Sequence, residues 1–138
     1  MGTKKHKISF QISEPELKAL QKQVQEMKLT LGMHFDISIS TLVRMAIEAR
    51  KLNWEENGYS INDPIILKSI VDKYEMELIC HGNQEKKTTI NSRITKTERD
   101  FIEQQAMKVR HKTGLNYPIA SFVRYCLVGD VKRIMKEM

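Results

Sequence analysis

The chain has few of the residues that build disulfide-linked or metal-held folds. Its 138 residues include two cysteines, Cys80 and Cys126, and neither lies in a CxxC or other metal-ligand spacing. We therefore expect free thiols, a cytoplasmic location and no bound metal. The chain also has no P-loop, GxGxxG or GxSxG motif, so we expect neither a cofactor nor catalysis. No apolar run approaches the roughly 20 residues that span a bilayer, so we expect no membrane partner.

Charge is divided unevenly along the chain. Residues 1–52 carry nine Lys or Arg against five Asp or Glu, residues 53–85 two against seven, and residues 86–138 twelve against five. Two basic segments with net charges of +4 and +7 therefore flank an acidic one with a net charge of −5. Solubility alone could account for this pattern. The sharper interpretation is that both basic segments face a polyanion while the acidic segment stays away from it.

The two basic segments contain the same pattern, 82 positions apart. Residues 7–13 alternate polar and apolar side chains, as a half-buried strand does, and residues 89–94 repeat that alternation. Both strands run into a capping box, at 13–16 and at 95–98, which predicts a helix start. Apolar residues at helical spacing follow, and a glycine near position 32 or 114 predicts the helix end.

A second helix is predicted in each copy. In the first copy it starts at residues 38–41, with Arg50 and Lys51 near its C-terminal end. In the second copy it starts at residues 118–121, and we expect it to continue to about residue 136. Trp54 and Tyr59 follow the first copy in a stretch rich in Glu, Asn and Gly, which we expect to be a loop.

A connector helix is predicted near residues 64–81, between the two copies. Asp63-Pro64 is typical of a helix start, and Gly82 stands at the far end. Four apolar residues at helical spacing would share one face of it: Ile66, Ile70, Tyr74 and Leu78. We expect that face to pack on the protein's own surface, with binding to another protein as the alternative.

The two strands are short and would not be stable alone, so we expect them to pair antiparallel with each other. One face of this ribbon would then cover the helices. The outward face would carry six hydrogen-bonding side chains and no carboxylate: Lys7, Ser9, Gln11, Thr89, Asn91 and Arg93. A two-stranded ribbon fits the major groove of DNA, where Arg reads guanine and Asn or Gln reads adenine. An ordinary solvated strand face would also be polar, but it commonly includes Asp or Glu.

Strand, helix, glycine and a second helix led by Ser or Thr, present twice, resemble the ribbon-helix-helix family, which includes the methionine and Arc repressors. The resemblance covers residues 7–52 and 87–130. It implies a mainly α fold with one two-stranded antiparallel β-ribbon, formed as a pseudo-dimer within one chain, with an extra connector helix. We therefore expect one compact domain made of a first unit (7–52), an acidic connector (53–86) and a second unit (87–138).

The resemblance also implies which residues contact DNA. Base edges would be contacted by Ser9, Gln11, Asn91 and Arg93, with Lys7 and Thr89 at the margin. Phosphates would be bound where the second helices start, through backbone amides; the matching positions are Ser38, Ser40, Thr41, Ala120 and Ser121. Pro118 replaces Ser38 in the second copy and has no amide, and the two reading halves differ. We therefore expect an unequal grip on an asymmetric site.

The expected function is sequence-specific binding of double-stranded DNA. Two roles fit: a transcriptional repressor, or an accessory DNA-binding protein of the relaxosome in conjugative transfer of a plasmid or mobile element. Self-association on longer DNA stays open. The alternative is a protein–protein interaction module, antitoxin-like or binding a relaxase, that uses the connector and C-terminal helices.

Overall fold

The computed structural model describes residues 6–32, 38–80 and 87–127. Within these ranges the chain forms two strands and five helices: β1 (His6–Ser13), α1 (Glu14–Leu31), α2 (Ile39–Asn57), α3 (Pro64–Cys80), β2 (Lys87–Ile94), α4 (Lys96–Thr113) and α5 (119–127). The expected mainly helical fold with one two-stranded antiparallel sheet is confirmed. The loop at 33–37, the stop at Gly82 and the continuation of the last helix to residue 136 lie outside the described residues. None of the helices in the described ranges is long and apolar enough to cross a membrane.

β1 and β2 pair antiparallel along their whole length, with Ser9 opposite Asn91. The predicted inward side chains are buried; they are Ile8, Phe10, Ile12, Ile90, Ser92 and Ile94. All but Ser92 join one hydrophobic cluster to which α1, α2, α3, α4 and α5 all contribute. The alternation seen in the sequence therefore separates a buried face of the ribbon from an exposed one.

The predicted starts of α1 and α4 are confirmed. Ser13 and Thr95 are the N-caps, and each forms a reciprocal capping box with the Glu three positions later. α4 ends at Gly114, whose φ of 73° is left-handed and whose N–H donates to the carbonyl of Arg110. The first helix of each copy therefore begins with the same local signal.

α2 is longer than the sequence predicted. It continues to Asn57, so the loop predicted around Trp54 is wrong over residues 53–57, and Arg50 lies in mid-helix. The reason is burial: Trp54 is 5% exposed, and its ring centroid lies 5.9 Å from that of Phe101 and 5.8 Å from that of Phe122, edge to face. Packing against two other helices outweighs the loop-like composition of the segment.

α3 packs across the segment that leads into α5. Asp63 Oδ1 accepts a hydrogen bond from the Ile65 N–H at the helix start, and Ile70 is fully buried. Tyr74 donates to the carbonyl of Asn116 at 3.2 Å. Leu78, predicted on the same face, is instead 53% exposed, because the packed face turns toward Glu77.

Candidate nucleic-acid interface

The six predicted base-contact residues lie on the outward face of the ribbon. All six are exposed: Lys7, Ser9, Gln11, Thr89, Asn91 and Arg93. The register arranges them as three cross-strand pairs, Lys7 with Arg93, Ser9 with Asn91, and Gln11 with Thr89. The same alternation continues beyond Gln11 and Thr89 with Ser13 opposite Lys87, and no carboxylate lies among the six side chains.

One end of this face is cationic. Lys7 lies directly opposite Arg93, and neither has an ion-pair partner within 4 Å among the residues that the structure describes. Like charges directly opposite each other destabilise a strand pair, on a scale of about 0.2–1 kcal/mol. The described part of the protein therefore leaves two adjacent cations without a neutralising carboxylate. A bound polyanion would relieve that repulsion.

The next two pairs of the face are neutral. Ser9 Oγ donates to Asn91 Oδ1 at 2.5 Å, across the two strands. This bond engages the amide oxygen of Asn91, whose Nδ2 has no partner in the described part of the chain. Beyond it, Gln11 pairs with Thr89.

The start of α2 lies along the β2 edge of the ribbon. Ser38 caps the helix by accepting from the Thr41 N–H at 3.3 Å, which leaves the first-turn amides of Ile39 and Ser40 without an intrahelical partner. Ser40 and Thr41 line the same surface cleft as Arg93. Two amides at a helix N-terminus and a nearby guanidinium favour an anion, although Glu48 and Glu98 line the same cleft, where Glu98 is paired with Arg44.

Ser40 also connects α2 to the inward face of the ribbon. Its Oγ lies 3.0 Å from Ser92 Oγ, and the Ser92 hydroxyl also contacts the Ser40 carbonyl at 3.2 Å. These contacts explain how a polar residue, 1% exposed, occupies the inward face. By the repeat, Ser40 corresponds to Ala120 and Ser92 to Phe10, and Ala120 and Phe10 line one cleft. A polar pair between the copies at the start of α2 therefore corresponds to an apolar pair at the start of α5.

The start of α5 has a different chemistry. Ser121, a predicted phosphate contact, is 2% exposed, and its hydroxyl donates to Glu77 Oε2 at 3.0 Å. Its N–H already donates to the carbonyl of Pro118. Arg124 contacts the same carboxylate at 3.1 and 3.2 Å and donates to the carbonyl of Gln11 at 2.8 Å. A carboxylate from α3 thus lies at the helix start where the resemblance implied a phosphate, and Ala120, next to Ser121 in the chain, is half-buried.

The sequence did not predict that Glu77 and Arg124 would pair at the start of α5. The only signal was the repeat itself, which aligns Arg44 with Arg124 at the same helix position. Arg44 reaches Glu98 at 3.4 Å, the capping residue of α4, whereas Arg124 turns to α3. No local pattern in the connector indicates that Glu77 would bond to the start of α5. This bond makes the surroundings of α5 differ from those of α2.

Within the described ranges, no three His, Cys, Asp or Glu residues lie close enough together to hold a metal ion. Cys126 is buried. Comparison of the chain with protein-family models, with curated proteins and with solved structures found no match.

Proposed function

We propose that this protein binds double-stranded DNA sequence-specifically through the outward face of its ribbon, as a ribbon-helix-helix pseudo-dimer within one chain. The observation that carries the proposal is the exposed ribbon face itself. It has six hydrogen-bonding side chains, no carboxylate and two adjacent cations, Lys7 and Arg93, that no described carboxylate neutralises. The strand pairing that such a pseudo-dimer requires is present in the fold.

In this proposal the ribbon lies in the major groove, which is wide enough to admit two strands. The six outward side chains contact base edges. The first turn of α2 binds a backbone phosphate through the amides of Ile39 and Ser40, close to Arg93. The first turn of α5 contributes no equivalent phosphate contact, because Glu77 engages Ser121 and would repel a phosphate. The grip on the DNA backbone is therefore unequal on the two sides of the ribbon.

Two cellular roles fit this activity equally well. One is transcriptional repression, and the other is an accessory role in conjugative transfer of a plasmid or mobile element. Both require specific duplex binding and no catalysis. Neighbouring genes separate them, because a relaxase gene beside this one favours transfer and a lone operon favours repression.

A protein-interaction module is the second candidate. The outer face of α3 exposes several large apolar side chains, among them Ile65 at 80% and Ile79 at 70%, with Met76 and Leu78 also exposed. Such a surface favours contact with another protein. A relaxase is one partner of the kind that this candidate implies, and binding there is compatible with DNA held on the ribbon.

Selection of bound duplexes from a random pool, at one fixed salt concentration, tests the leading proposal. The expected result is enrichment of one short motif that binds far more tightly than unrelated duplexes at the same salt. Binding that is equal for all sequences, or lost at modest salt, would contradict sequence-specific recognition and favour the interaction module.

A further inference from the structure

The outer side of α3 carries a stripe of exposed side chains. The stripe consists of four residues at spacings of three, four and four positions: Ile65, Lys68, Asp72 and Met76. Residues three and four positions apart are neighbours on a helix surface, so the four lie along one side of α3. Ile70, on the opposite side, is fully buried. The stripe therefore faces away from the hydrophobic core.

Contacts on the inner side hold α3 in place. Glu77 contacts Arg124 at 3.1 and 3.2 Å, and the ring centroid of Tyr74 lies 5.2 Å from that of Tyr117, edge to face. The outer stripe is therefore presented by a helix whose position is already fixed. A partner that binds there needs to order only the exposed side chains, which lowers the cost of association.

The order of side chains along the stripe is complementary to its own reverse. From the N-terminal to the C-terminal end it reads apolar, positive, negative, apolar. A second α3 placed antiparallel presents the same order backwards. Lys68 of one copy then faces Asp72 of the other, and Ile65 of one copy faces Met76 of the other. Both kinds of contact occur twice, on either side of a point near residue 70.

We infer that this stripe binds a second copy of the same chain, with the two α3 helices antiparallel about a twofold axis near residue 70. A twofold axis requires one patch to serve both copies, so residue i contacts residue j and residue j contacts residue i. The stripe meets that requirement in both charge and hydrophobicity. Its self-complementary order is the observation that favours a second copy over a different protein.

The charge of α3 permits this approach, although the connector as a whole is acidic. The helix has two lysines against three carboxylates, a net charge of −1. Lys73 and Glu77 pair with each other at 3.4 Å on the inner side. Glu75 is exposed at the edge of the stripe, one turn from Asp72, on the same side as Lys68. Repulsion between two copies of α3 is therefore small.

The contact is short, so association in solution should be weak. The stripe from Ile65 to Met76 spans about 16 Å of helix, which is small beside the surfaces that stable dimers bury. We expect a Kd for the dimer on the order of 100 µM. A duplex with one site holds one chain, so this contact does not enter the affinity of a single chain for DNA. The inference therefore does not depend on the proposed function.

Sedimentation velocity of the full chain without DNA, from about 10 µM to about 500 µM at low salt, tests the charge order. Lys68→Glu places a carboxylate against Asp72 of the second copy and should raise the dimer Kd roughly tenfold. Adding Asp72→Lys restores opposite charges across the axis, so the double variant should return to within about threefold of the unchanged protein. Lys22→Glu is the matched control, because it makes the same charge change at an exposed position on α1.

Ile65→Ser tests the apolar contacts and should also raise the dimer Kd roughly tenfold. Its control is Leu29→Ser on α1, since Leu29 is 79% exposed and Ile65 is 80% exposed. Circular dichroism checks that each variant keeps the fold.

A chain that stays monomeric over the whole concentration range would overturn the inference and leave the stripe to a different protein. A dimer that Lys68→Glu does not weaken, or a double variant no better than the single one, would also overturn it. Failure of the chain to enrich any duplex would overturn the proposed function instead and leave the dimer unaffected.

Discussion

Replacement of Arg93 by Ala should weaken DNA binding without weakening the fold. Arg93 is exposed, has no ion-pair partner among the described residues and faces Lys7 across the ribbon. Its truncation therefore leaves no buried charge unpaired and removes a like-charge contact, so the free energy of unfolding should stay the same or rise by up to about 1 kcal/mol. Loss of a guanine contact should cost about 1–3 kcal/mol of binding, a roughly 5- to 150-fold increase in Kd.

Stability should stay the same or rise while DNA binding weakens, and two assays measure these effects separately. Urea denaturation measures the free energy of unfolding. Fluorescence anisotropy measures Kd for the selected duplex and for duplexes with one base pair changed at a time. Lys68→Ala is the matched control, because it removes one positive charge from an exposed position on α3. Equal weakening on every duplex, as in the Lys68 variant, would refute base reading by Arg93 and assign it to the phosphates.

Three further predictions concern the residues that support the interface. Glu77→Ala leaves Arg124 buried without its carboxylate and should lower the free energy of unfolding by about 3 kcal/mol in urea denaturation; an unchanged midpoint would show that the pair is not needed. Gln105→Met replaces a buried side chain whose Oε1 has no hydrogen-bond partner among the described residues, and should raise the free energy of unfolding by about 1 kcal/mol, whereas a loss would show that the amide is satisfied. Burial raises the pKa of Tyr117 above its ordinary value of about 10. The protonated phenol therefore contributes fully to stability below pH 10. Above pH 10 the free energy of unfolding should fall by up to about 1.4 kcal/mol per pH unit. Tyr117→Phe should therefore lose stability less steeply than the unchanged protein above pH 10, and parallel curves would contradict this.

The two faces of the ribbon and the helix starts could be predicted because both are local patterns. A period of two separates Ile8 and Phe10 from Ser9, and a capping box needs only four consecutive residues. The pairing register could not be predicted in the same way. A slip of two residues keeps each side chain on its own face, and no hairpin turn joins these strands to fix the register. The contact of Lys7 with Arg93 is therefore a result of the tertiary structure.

The unequal helix starts were only partly predictable. Pro118 indicated that the second copy would bind phosphate less well. The sequence did not indicate that Glu77, on a different element, would bond to Ser121 and Arg124. Trp54 was misplaced for a related reason: its neighbours are typical of a loop, but its ring is held by two aromatic side chains distant in sequence. In both cases long-range packing outweighs local composition.

An amide NMR titration of the isotope-labelled chain with the selected duplex tests the central claim most directly. The account predicts that the largest shift changes fall on Lys7, Ser9 and Gln11, on their partners in β2 and on the first turn of α2, with one chain bound per site. Shift changes confined to α3, with the ribbon unaffected, would contradict it and identify the exposed apolar face as the functional surface.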